Sequence, residues 1–251
     1  MKPVSSTPRL PPSLTAQRVL ILAGNCQKVS LWPLSHSVTR LYLGLSLITM
    51  TKLKLGIVIL AAGAASRFGR CKQLAEFQHK PLLQHVIDEA EKLNAHELLV
   101  ITGRWHDAIS AAQRNGTISS VTLIKNDRWQ QGMSSSIALA TERIADSCDQ
   151  LLVLLSDQIL VTADQLKALV ELAGEDNACA SFKNTLGPPA VFSATLFPSL
   201  LTLSEAVGAK QLLLSSDSTV RKMGLDAAAW DIDTPEDLER LSDASAYIFG
   251  N

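Results

Sequence analysis

The chain has 251 residues, 47% of them hydrophobic, and a formal net charge of -1. That length suffices for one α/β domain with a sizeable core. The near-zero charge excludes a global attraction to nucleic acid or to an anionic membrane, so any positive field that serves function has to be local.

Residues 1–51 differ in character from the rest of the chain. They are rich in Pro, Ser and Thr, with Pro3, Pro8, Pro11, Pro12 and Pro33, and carry no sustained hydrophobic period. Two apolar patches, 19–23 and 41–50, are too short to span a bilayer, and the first lies too far from an orderly signal-peptide layout, which leaves a weak signal or transit sequence as the lesser reading. Met50 stands just ahead of the point where a compact α/β domain would begin. Residues 1–51 therefore read as a low-order extension or a misassigned start, and residues 52–251 as the folded domain. The four cysteines, Cys26, Cys71, Cys148 and Cys179, are scattered without a CxxC pair, which suits a reduced, cytoplasmic chain.

The first strong signal is a short apolar run at 57–60, of the length and branching of a buried parallel strand, which stops in Ala61, Ala62 and Gly63. Beyond it come Ser66, Arg67, Gly69 and Lys72, small residues interleaved with two cations and a hydroxyl. Free backbone N–H groups in such a turn are fixed donors for phosphate oxygens, and Arg67 and Lys72 add full charges. The spacing is neither GxxxxGK[ST] nor GxGxxG. An ordinary strand-to-helix turn with solvent-facing cations remains open on these residues alone.

Residues 82–93 then form an amphipathic pattern, with Leu82, Leu83, Val86, Ile87, Ala90 and Leu93 on one face and Pro81 suited to the first turn. A strand at 97–102, a helix at 105–113 and a strand at 121–124 come next. The alternation predicts a mostly parallel sheet covered on both faces. After the third strand, Ser134, Ser135 and Ser136 open a helix behind Gly132 and Met133, a site for an anion or simply a helix start with surplus hydroxyls. Its position at a strand's carboxyl end favours a ligand. Trp129 suits the wall of a pocket or the core equally.

A very apolar strand at 150–155 ends in Ser156, Asp157 and Gln158. A carboxylate there is well placed to hold a divalent cation against a triphosphate, although it also suits a turn. Next is a helix at 162–173, with Thr162 and Gln165 in capping-box spacing. Short strands at 178–182 and 189–192 flank a loop at 184–188, and helices at 196–203 and 210–214 are joined by 205–208. This part reads as a substrate-side cover with an antiparallel edge. The segment 228–232 leads to Asp233 and to Thr234, Pro235, Glu236 and Asp237, a strong helix start that does not itself need Asp233.

The stretches LAAGAASRFGRCKQL, NDRWQQGMSSSI, LLSDQ, GPPAVF with the later GAKQLL, and DIDTPEDL occur in the order seen in MobA-like nucleotidyltransferases. Over residues 55–241 the chain most closely resembles the molybdenum-cofactor cytidylyltransferase branch. The resemblance implies a Rossmann-like three-layer αβα fold with a mostly parallel sheet. It also implies attack by the terminal phosphate of a molybdopterin-type cofactor on the α-phosphorus of an NTP, CTP first among them, with release of pyrophosphate. By the same resemblance Ala62, Gly63, Arg67, Gly69 and Lys72 form the triphosphate loop, with Leu60, Ala61 and Ser66 beside them. Ser134 and Ser135 correspond to the nucleotide-side helix start, Asp157 to the Mg²⁺-holding aspartate and Asp233 to a second ligand. Arg67, Lys72 and Asp157 are the implied catalytic residues, and a molybdenum hydroxylase apoenzyme is an implied partner. The chain departs from the family pattern at Ile159, where relatives commonly carry Pro. It departs again at Ala206 and Val207, where an acidic residue is common. Transfer to a sugar phosphate or phospho-alcohol, or a non-catalytic cofactor carrier, are the rival readings.

Overall fold

The computed structural model describes residues 53–203, 209–214 and 220–249. The expectations for residues 1–52 and for the 205–208 connection, with Ala206 and Val207, lie outside them. Among the described residues no helix is long and apolar enough to cross a membrane.

Nine strands and seven α-helices are present among these residues. In chain order they are β1 (Leu55–Ala61), β2 (Glu76–Phe77), β3 (Lys80–Pro81), α1 (Leu82–Glu91), β4 (Glu97–Thr102), α2 (His106–Arg114), β5 (Thr122–Lys125), α3 (Met133–Ile144), β6 (Gln150–Leu155) and α4 (Ala163–Ala173). Then come β7 (Asn177–Phe182), β8 (Thr185–Ser193), α5 (Phe197–Leu201), α6 (Ala209–Leu214), β9 (Val220–Gly224) and α7 (Pro235–Phe249). Seven strands form one sheet in the order β5-β4-β1-β6-β8-β7-β9. β5, β4, β1 and β6 run parallel, β8 runs antiparallel to both its neighbours, and β9 is parallel to β7.

The central strands are apolar on both faces because helices cover both. Ile57, Ile59 and Ala61 of β1 pack with Leu83, Val86 and Ile87 of α1, Ile109 of α2 and Leu166 and Leu169 of α4. Val58 and Leu60 face the other way, onto Ile137, Ala140 and Ile144 of α3 and Phe197 and Leu200 of α5. The three-layer αβα fold is the consequence of this alternation. The capping box of α4 forms as its spacing predicts, with Thr162 accepting from the Gln165 amide and the Gln165 side chain accepting in return.

Three local expectations are corrected. Pro81 does not sit in the first turn of α1; it ends β3 and precedes Leu82, in a hairpin with β2 whose turn residues Gln78 and His79 have φ of 49° and 62°. The 184–188 segment is not a loop. The turn is only Lys183 and Asn184, at φ 45° and 59°, and β8 starts at Thr185. Finally, the antiparallel strand is not an edge. β8 lies inside the sheet, because that two-residue turn forces it back beside β7.

Candidate active site

The carboxyl ends of β1, β4 and β6 lie on one rim, since the strands are parallel and in register from Leu60 to Ile101 and to Leu155. Leaving β1, residues 62–71 are held by specific contacts. The Gln73 side-chain amide donates to the Ala61 carbonyl at 3.1 Å, and the Trp105 indole donates to the Ala64 carbonyl at 3.0 Å. The Ala65 carbonyl accepts from the amides of Phe68 and Gly69 at 3.0 and 3.1 Å, with Ala65 at φ 52° and Gly69 at φ 73°. Phe68 is buried among Ala75, Phe77, Leu82, Ile232 and Leu241, which ties the loop to the segment before α7.

That tie brings four charged groups together. Lys72, in a 3-10 turn at Lys72–Leu74, places Nζ 2.7 Å from Asp157 Oδ2 and 3.1 Å from Asp233 Oδ1. Arg67 Nη2 lies 2.7 Å from Asp233 Oδ2. Burial pushes the Lys72 ammonium down, but the charge and hydrogen bond of Asp157, then those of Asp233, outweigh it and hold its pKa above the ordinary lysine value. Asp231, two residues before Asp233, has its carboxyl pushed up by desolvation and by the Asp157 charge. Asp157 Oδ1 is buried and has no hydrogen-bond partner. A buried carboxylate oxygen without a donor is an unmet demand for positive charge, and Asp157 and Asp233 are the oxygen donors that suit a hard divalent cation.

The cleft above this cluster has a volume of about 430 Å³. Of the sequence-derived site residues, it is lined by Leu60, Ala62, Gly63, Ser66, Arg67, Lys72, Asp157 and Asp233. Ala61 and Gly69 shape the loop without lining the cleft. Ser134 and Ser135 are also set back from it, and Ser136 takes the lining position instead. The Ser135 hydroxyl bonds to the carbonyls of Arg128 and Gly132, and Asn126 Nδ2 donates to both Ser135 and Ser136. These bonds anchor the loop that presents Trp129 and Gln130 to the cleft. Gln130 and Gln73 are lining residues that no motif spacing identifies, and Trp129 proves to be a wall.

Gly103, just past β4, is where two walls meet. A Cβ there would lie 2.5 Å from the Ala62 carbonyl oxygen and 2.6 Å from Trp129 Cβ. Gly103→Ala is expected to destabilise the protein by about 1–3 kcal/mol in urea denaturation, since backbone has to move. An unchanged midpoint would show that both loops yield freely.

Residues 57–220 match the model of the MobA-like NTP transferase domain, more than half of the chain. The chain belongs to the MobA-like NTP transferase family. Its curated relatives include the bifunctional protein GlmU of Sinorhizobium medicae, 28% identical over 130 residues, which are 50% of this chain and 28% of that protein. The purine catabolism protein PucB of Bacillus subtilis is 33% identical over 116 residues, 45% of this chain and 57% of PucB. The chain thus spans less than two thirds of either relative. Among solved structures, Rv0371c of Mycobacterium tuberculosis superposes with a TM-score of 0.65 at 25% identity, over 76% of this chain and 99% of that one. The same protein has been solved in complex with manganese, with a TM-score of 0.62, 25% identity and coverage of 77% and 100%. The MobA-like nucleotidyltransferase fold and the place of the cleft at the sheet's carboxyl rim agree with one another.

Proposed function

We propose that this MobA-like chain transfers a cytidylyl group from CTP to the terminal phosphate of a molybdopterin-type cofactor, releasing pyrophosphate. The observation that carries the reading is the meeting of Lys72, Arg67, Asp157 and Asp233 in one cleft, from positions up to 166 residues apart. The five ordered sequence motifs support the nucleotidyltransferase family, and the acceptor and base follow from the resemblance to the molybdenum-cofactor cytidylyltransferase branch.

A phosphate monoester is already an anion at neutral pH, so the attacking oxygen needs no side-chain base. It bonds to the α-phosphorus as the bond to the β-phosphate bridging oxygen breaks, and the electron pair leaves with pyrophosphate. The protein's task is position and charge. Arg67 and Lys72 exchange their carboxylate partners for phosphate oxygens, and the open wall of Ala62 and Gly63 lets the backbone approach. Asp157 and Asp233 would hold Mg²⁺, which would supply a double positive charge for the phosphate oxygens. Among the described residues the cysteines Cys71, Cys148 and Cys179 are free thiols, which supports the cytoplasmic setting included in this proposal.

The test is a thermal-shift panel of CTP, GTP, ATP and UTP with Mg²⁺, followed by pyrophosphate release with candidate acceptors. A ligand at about 100 times its Kd stabilises the fold by about 2.7 kcal/mol. The largest shift is expected for CTP, and release only with a pterin-bearing phosphate monoester. Release with a sugar phosphate would redirect the acceptor assignment, and binding without release would favour a carrier.

A further inference from the structure

The cleft has two sides, and the sequence motifs account for one of them. Ala62 to Arg67 after β1 and Trp129 after β5 wall the side nearest β4. On the other side of Asp157 lie β8, β7 and β9. Val153 of β6 pairs with Ala190 of β8, so the start of β8 and the Lys183–Asn184 turn project past the end of β6, on the rim that carries Asp157. β9, parallel to β7, delivers the turn at Asp226–Ala229 to the same rim.

Two long-range hydrogen bonds converge on that turn. Gln158, the residue after Asp157, donates from Nε2 to the Ala228 carbonyl at 2.9 Å, and Lys183 Nζ donates to the Ala229 carbonyl at 2.8 Å. Two and three residues beyond Trp230, Ile232 is buried and Asp233 joins the ion cluster. Trp230 is therefore pinned through its backbone on both sides. Its side chain is nonetheless 56% exposed, the most open of the large hydrophobic side chains among the described residues. Trp230 does not itself line the cleft, but it stands three residues before Asp233, which does, and a pinned, solvent-facing indole there is a ready stacking surface for a flat ring. Lys183, one donor used on Ala229, sets a positive charge on the same side, which suits a ring edged with carbonyl oxygens.

We propose that Trp230 is the platform for the acceptor, a flat heteroaromatic ring joined to the attacking phosphate monoester. The inference rests on the nucleotidyl-transfer reading, in which the nucleotide occupies the β1 and β4 side and the acceptor has to enter from the side left open. Trp230 acts on acceptor affinity and takes no part in bond making.

The test is isothermal titration calorimetry of the full chain with neopterin monophosphate, which carries ring and phosphate, and with ribose 5-phosphate, which carries only the phosphate. The ring-bearing ligand is expected to bind about 10-fold more tightly, with that preference lost in Trp230→Ala and kept in Trp230→Phe. Trp230→Leu, which keeps apolar bulk without an aromatic face, is expected to lose it as well and stands in should the alanine variant fail to fold. Equal binding of the two ligands to the unsubstituted chain, or a preference surviving in Trp230→Leu, would overturn the inference. The CTP-dependent melting shift, measured alongside, reports on the nucleotide side: its absence with the ring preference intact would sink the transferase reading and not the platform.

Discussion

Lys72→Ala is expected to lower turnover by about 10²-fold or more at saturating nucleotide. The side chain is only 11% exposed, and its ammonium meets both carboxylates of the cleft, at 2.7 and 3.1 Å. On the proposed reaction, positive charge held in so sheltered a place would stabilise the departing pyrophosphate. Because burial is outweighed by Asp157 and Asp233, the lysine pKa in the folded chain lies above the ordinary 10.5. Linkage sets the sign: its contribution to stability is complete below the unfolded value and is lost only as pH rises through the folded one. No limb of a pH–rate profile near neutrality should then belong to Lys72. The variant should also melt at lower temperature, since Asp157 would keep a half-buried charge with Oδ2 deprived of its partner as Oδ1 already is. Lys72→Arg restores charge but not shape, because a broad planar guanidinium has to enter a place that is only 11% exposed and fitted to a compact ammonium. Pyrophosphate release by the three proteins measures this, and an unchanged rate in the alanine variant would remove Lys72 from the mechanism.

The buried parallel strands were the most legible part of the chain. The expected 97–102 and 150–155 coincide with β4 and β6, because a strand covered on both faces is one apolar run between breakers. The α4 cap was legible because its chemistry is local, three residues wide. What failed to show itself depends on partners distant in sequence. β2 and β3 are two residues each and carry no period. In β8 the 184–188 segment reads as a loop that ends where Pro189 opens a strand, yet the ladder runs through it. Ala190 to Ser193 pair with β6, Thr185 to Gly187 pair with β7, and Pro188 and Pro189 fall at the irregularity between Cys179 and Ala180. Missing N–H groups are tolerated there. β9 escaped notice because it is an edge strand whose Arg221 and Lys222 are exposed, charges that also discourage edge-to-edge pairing.

The candidate site divides in the same way. Arg67, Lys72 and Asp157 stood out as charged side chains following small or apolar residues at strand ends, a pattern that equally suits an ordinary turn, and the fold brings the three to one cleft. The serines misled in detail for a physical reason. A helix start with three hydroxyls has several ways to satisfy its backbone, and Asn126, itself buried, selects the one that turns Ser135 toward Arg128 and leaves Ser136 at the cleft. Gln73 gave no signal at all, since its role is to hold the Ala61 carbonyl from the far side of the loop.

Asp157→Asn carries the second large effect, a loss of turnover of about 10²- to 10³-fold, equivalent to about 3–4 kcal/mol of transition-state stabilisation. The substitution keeps the size of the side chain and one oxygen for Lys72, so the fold and the loop should persist. What it removes is the negative charge on a group whose Oδ1 lacks any donor. An amide placed there has no formal charge with which to hold a divalent ion, and Asp233, 36% exposed and already shared between Arg67 and Lys72, cannot hold one alone as well. The consequence separates metal binding from nucleotide binding. In the unsubstituted chain the CTP-dependent rise in melting temperature should grow when Mg²⁺ or Mn²⁺ is added, and in Asp157→Asn the increment due to the metal should vanish while a smaller, metal-independent shift from Arg67 and Lys72 survives. Lys72→Ala should show the reverse, a weakened nucleotide shift that still responds to metal. If both variants lose the same component, the two residues act only as an ion pair that shapes the cleft, and neither phosphate binding nor metal binding can be divided between them.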